Sequence, residues 1–66
     1  MIIYNRLWDT MKKKGISTYR LRESYGFNTK TIAKLRNNGT VTTQTLNKLC
    51  WILNCELSDI AEYVKD

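Results

Sequence analysis

The sequence predicts an all-α fold, a compact bundle of about five short helices. Three observations carry that prediction. Apolar residues recur at three- and four-residue spacing along most of the chain. Three of the segments so marked open with one capping pattern. Between Thr18 and Leu35 the chain reads as a helix, a tight turn and a second helix crossing the first. There, Leu21 and Tyr25 lie four apart, Gly26 and Phe27 follow, and Ile32 and Leu35 restart the apolar series.

Tyr4, Leu7, Trp8 and Met11 form one stripe, which predicts a first helix near residues 4 to 14. Lys12, Lys13 and Lys14 fall in its last turn, where cations complement the helix dipole. Gly15 closes it as a left-handed cap, and Ile16 folds back onto it.

The next three helices share their opening. An apolar residue precedes a capping residue, and a second apolar residue follows five places after the first. Ile16, Ser17 and Leu21 open the second helix, Phe27, Asn28 and Ile32 the third, and Val41, Thr42 and Leu46 the fourth. The capping oxygen accepts an orphan backbone N–H while the apolar pair staples the entry.

The third helix is expected to end near Asn37, with Asn38 and Gly39 making the turn. Thr40 to Thr43 is an extended, hydroxyl-rich connection. The fourth helix runs from about Thr43 to Leu53, with Leu46, Leu49, Cys50 and Leu53 inward. Leu57 and Ile60, with Val64 as an optional third, mark a short last turn, with Ser58 as its expected cap. Ile2 to Tyr4 and Tyr63 to Val64 suit a short β ladder, within one chain or between two.

Sixty-six residues with 42% hydrophobic content make one small domain, residues 1–66, without proline, linker or repeat. Such a chain buries only roughly 60% of the surface its unfolded form exposes. The two cysteines, Cys50 and Cys55, read as semi-buried free thiols. Zinc needs about four ligands, and the chain offers two cysteines and no histidine. No cofactor is expected. Neither a signal peptide nor a stretch of about 20 apolar residues is present, so the expected location is the cytoplasm, away from membrane.

Charge is unevenly spread over the chain. Ten of the eleven bases lie between Arg6 and Lys48, opposed only by Asp9 and Glu23. From Leu49 onward Lys65 faces Glu56, Asp59, Glu62 and Asp66. The basic part therefore holds the helix-turn-helix, and a basic field attracts polyanions. The third helix leaves Thr29, Lys30, Ala33 and Lys34 outside, with no acid among them. A short helix with small, polar and cationic groups on its free face suits a DNA major groove.

The series Leu21, Tyr25, Gly26, Phe27, Ile32, Leu35, then Asn38-Gly39, Val41, Leu46 and Leu49, resembles the Cro/cI (XRE) helix-turn-helix family. The resemblance runs from about Tyr4 to Ile60, and the two ends look like a compact single-domain bacterial branch. It implies a lambda-repressor-like DNA-binding domain and a transcriptional regulator, usually a repressor. Arg22 departs from the pattern. It stands where most members carry an alanine facing the next helix, so its charge must snorkel outward.

In that family the first residues of the recognition helix, here about 29–37, reach base edges. Thr29, Lys30, Ala33 and Lys34 are thus the base-contact candidates. The two lysines suit guanine O6 and N7, and the Ala33 methyl suits a thymine methyl. Thr31 lies nearer the helix side and is a secondary candidate. Thr18, Arg20, Arg22, Asn38, Thr40, Thr42 and Thr43 are candidates for phosphate contacts, which position a protein without reading sequence. For Ser17, Asn28 and Thr42, capping alone is a sufficient explanation. Arg36 and Lys48 suit either a supporting electrostatic role or plain solvated surface. Lys12 to Lys14 read as a solvated helix end.

The expected partner is double-stranded DNA, with a possible homodimer on two half-sites and no small-molecule ligand. Trp51, outside the inward series, and Tyr63 would suit a dimer anchor. Catalysis has no support, because there is no histidine, no glycine-rich phosphate loop and no nucleophile with a base. The rival function is a protein-interaction or antitoxin-like module that turns the same basic face toward an acidic protein.

Overall fold

The computed structural model describes all 66 residues, Met1–Asp66. In order these are β1 (Ile2–Ile3), α1 (Asn5–Lys14), α2 (Thr18–Tyr25), α3 (Thr29–Arg36), α4 (Thr43–Leu53), a 3-10 turn (Leu57–Asp59) and β2 (Glu62–Tyr63). Four α-helices and one 3-10 turn realise the expected bundle.

The starts of α2, α3 and α4 are chemically alike. Ser17, Asn28 and Thr42 lie in extended backbone, and each side chain accepts the N–H three residues on, from Arg20, Thr31 and Thr45. The ends are alike too. Gly15, Gly26, Asn38 and Asn54 all take the left-handed conformation, with φ of 70°, 74°, 54° and 49°. Glycine adopts it without penalty, and asparagine tolerates it. After Gly15 the chain reverses and the Ile16 N–H donates to Met11 O at 3.0 Å, which satisfies a carbonyl the helix leaves open.

Ten residues form the core: Tyr4, Leu7, Met11, Leu21, Phe27, Ile32, Leu35, Leu49, Leu53 and Ile60. Every α-helix contributes at least one, so each is held by its apolar stripe rather than by propensity. No polar or charged side chain is buried.

Two expectations change at the C-terminal end. Ser58 does not cap the last turn. Glu56 does, by a reciprocal arrangement in which its carboxylate accepts the Asp59 N–H while Asp59 Oδ2 accepts the Glu56 N–H at 2.9 Å. A carboxylate on each side satisfies two open donors at once, which one hydroxyl cannot. The ladder forms within the chain, antiparallel, pairing Ile2 with Tyr63 and Ile3 with Glu62, one residue short of the expected partners. Arg6 anchors this corner, donating to Ser58 O at 3.0 Å and to Glu62 Oε2 at 3.1 Å.

Candidate nucleic-acid interface

The side of α3 away from the core is set by its two buried residues. Ile32 and Leu35 point inward, at 6% and 0% exposure, which turns Thr29, Lys30, Ala33 and Lys34 to solvent. The Asn28 cap fixes where the helix begins, and hence which residues occupy its first turn. No acidic side chain lies within α3.

A cleft runs along each flank of this helix. On the α2 side a cleft of about 300 Å³ is lined by Thr18, Arg22, Thr29, Ile32, Ala33 and Arg36. On the α4 side a cleft of about 500 Å³ is lined by Thr31, Lys34, Thr40, Val41, Thr42 and Thr45. Neither contains an acid. The first collects two guanidinium groups, and the second collects four threonines and one lysine. Helix α3 is thus a cationic ridge between two hydroxyl- and cation-lined channels.

The clefts bring together Thr18 and Arg22 on one flank, and Thr40 and Thr42 on the other. Arg20 and Thr43 are exposed but line neither cleft. Arg20 serves the start of α2 through its backbone N–H, which donates to Ser17 Oγ at 3.2 Å. Asn38 is half-buried, and its Oδ1 accepts the Tyr4 N–H at 2.8 Å. The Arg22 side chain is exposed, as its position requires, with its guanidinium 5.8 Å from the centre of the Tyr19 ring.

Three residues outside the main contact candidates also stand in these clefts. Arg36 lines the first, its guanidinium over the Trp8 ring at 5.1 Å. That stacking orients the cation and costs it no donor. Thr31 and Thr45 line the second. Thr31 is the secondary candidate of its helix, whereas Thr45 carries no signal beyond its hydroxyl. Arg36 carried its charge, but its neighbour Trp8 comes from another helix. Lys48 has partners within the fold: its Nζ donates to Tyr25 O at 2.6 Å and sits 5.1 Å from the Phe27 ring centre. It thereby places a cation at the negative end of the α2 dipole.

This geometry has close relatives. The family model of the Cro/C1-type helix-turn-helix DNA-binding domain matches residues 6–66. The chain belongs to that family. Among solved structures the Cro/C1-type domain is similar to the transcriptional regulator VanUg, crystal form II, with a TM-score of 0.88 and 34% identity. The alignment covers 98% of this chain and 87% of that one. No curated protein sequence matches it. Within the Cro/C1-type domain, α2, Gly26 and α3 are therefore the helix-turn-helix, and DNA is the class of partner. No helix is long and apolar enough to cross a membrane.

Proposed function

We propose that this Cro/C1-type domain is a sequence-specific transcriptional regulator of double-stranded DNA, acting as a repressor by occupying its operator. Helix α3 enters the major groove, and α2 lies across the backbone. The observation that carries this reading is the ridge of α3 between two acid-free clefts. A major groove is bounded by two phosphate strands, so a helix lying in it needs a channel for one strand on each side.

In this arrangement Thr29, Lys30, Ala33 and Lys34 meet base edges. Lys30 and Lys34 donate to guanine O6 and N7. Thr18, Arg22 and Arg36 take phosphates of one strand, and Thr40 and Thr42 those of the other. Arg20, Asn38 and Thr43 support the same backbone from outside the clefts. Each neutralised phosphate releases counterions, so affinity falls steeply with salt.

One module of this size buries a small interface, which limits its specificity. Two copies on half-sites about one helical turn apart supply the rest. Trp51 and Tyr63, exposed at 75% and 67%, are available as anchors for the second copy.

Selection from a random-duplex library across a salt series tests this reading. A recovered two-fold motif, with log affinity falling linearly in log salt, is the expected result. Salt-dependent binding with no enriched motif overturns sequence specificity. No binding even at low salt overturns the DNA reading and favours an acidic protein partner.

A further inference from the structure

We propose that Cys50 and Cys55 form a site of reversible oxidation, closing to an intramolecular disulfide that staples the end of α4. The end of the helix creates the pairing. Asn54 turns the chain into the left-handed region, at φ 49° and ψ 57°. The Cys55 N–H then returns to donate to Cys50 O at 3.1 Å. This closure sets the residue beyond the cap against the residue one turn back, the pair that ordinarily makes an apolar contact. Here both are free thiols, half-buried and packed on the same core.

The two side chains also perturb one another. Burial, the neighbouring Cys50 and then Asp59 push the Cys55 thiol above its ordinary range, with the Cys55 S–H donating toward Cys50 acting the same way and Lys14 opposing them. Two thiols that the turned helix end brings beside one another, through the Cys55 N–H to Cys50 O bond, need little rearrangement to reach bonding geometry, which is what makes a disulfide feasible.

The oxidant is a low-molecular-weight disulfide such as oxidised glutathione. The Cys50 thiolate attacks one of its sulfurs and expels one glutathione thiolate, leaving a mixed disulfide. The Cys55 thiolate then attacks Cys50 Sγ and expels the second. Two protein S–H bonds and one glutathione S–S bond are lost, one protein S–S bond forms, and the two protons end on two glutathione thiols. Cys55 reacts second because its ionisation is suppressed, so closure quickens as pH rises. Reduced thiols reverse both steps.

The staple sits at the far end of α4 from Thr42 and Thr43. An eleven-residue helix spans about 16 Å, so the clefts lie outside its reach. Oxidation therefore changes the stability of the fold without entering the clefts beside α3.

The test incubates the reduced, folded protein with oxidised glutathione at mildly alkaline pH. Intact mass, thiol titration, a non-reducing gel and thermal unfolding are then read. The expected result is a monomer lacking two hydrogens, with thiols falling from two to none, restored by reductant and melting several degrees higher. Closure should also be faster in the folded protein than in concentrated urea. Cys50→Ser and Cys55→Ser should each stop at one stable glutathione adduct. A lasting glutathione adduct on the parent protein, a disulfide between two chains, two surviving thiols, or closure no faster than in urea would each overturn the proposal.

Discussion

Asn38 Oδ1 accepts the backbone N–H of Tyr4 at 2.8 Å, across 34 residues of chain. Tyr4 is buried, so water does not replace this bond. Asn38 itself sits at φ 54° and ends α3, while Tyr4 opens α1. One side chain thus joins the end of α3 to the start of the bundle, and the direction of α3 is tied to the core at both its ends.

Asn38→Ala removes the acceptor and also the residue type that tolerates left-handed backbone. Stability should fall by about 1–3 kcal/mol. For a domain of this size each kcal/mol lowers the melting midpoint by about 4–8 °C. Asn38→Asp keeps the acceptor and should melt close to the parent, yet bind DNA more weakly because, in the proposed docking, it adds an anion beside the phosphates. Calorimetry and a duplex-binding assay separate the two effects.

Lys30→Ala with Lys34→Ala removes two exposed cations and no core atom. Operator binding should be lost, since each specific base contact contributes about 1–3 kcal/mol of discrimination. Thermal unfolding should stay within about 0.5 kcal/mol of the parent. Retained operator affinity would remove α3 from base readout.

Arg22→Ala and Arg36→Ala should act differently from the lysines. Each should weaken operator and random duplex alike, and flatten the slope of log affinity against log salt by about one unit. Arg36→Ala should also cost about 0.5–1 kcal/mol of stability, because its stacking on Trp8 is lost. An unchanged salt slope in both would detach the α2-side cleft from the phosphate backbone.

Gly26→Val tests the turn of the helix-turn-helix. Open space surrounds a Cβ at this position, so the penalty comes from backbone alone, at φ +74°. A branched residue there should cost about 1–3 kcal/mol. Gly39→Ala is the control: its φ is not left-handed, and its Cβ would meet Lys34 O at an ordinary 3.4 Å. Equal melting of the two variants would mean that the turn tolerates side chains.

Much of this was legible in the sequence because helix starts depend on local chemistry. Ser17, Asn28 and Thr42 cap the helices they introduce, and the apolar stripes lie inward as spaced. The Ser58 assignment failed because a hydroxyl was weighed without the pair of acids three residues apart, Glu56 and Asp59, that satisfies both donors together. Arg36 and Lys48 were ambiguous for a different reason. Each is anchored on an aromatic from another element, Trp8 or Phe27, and spacing along one helix does not reveal such a neighbour. Likewise the four residues aligned on α3 could be read from its period, whereas the clefts beside it exist only once three helices have packed.

The pairing of β1 with β2 joins the two most distant parts of the chain through two residues on each side. Contacts this remote in sequence gain their stabilisation only after the intervening chain is ordered. The ladder should therefore be the last element to form and the first to open, and its amides should exchange hydrogen sooner than those of Leu21, Leu35 or Leu49. Opening there releases Glu62 from Arg6 but leaves the Asn38–Tyr4 bond and both flanks of α3 in place. Loosening there leaves the α3 ridge and its two clefts in shape, so the chain ends can fray while the helix-turn-helix keeps its geometry.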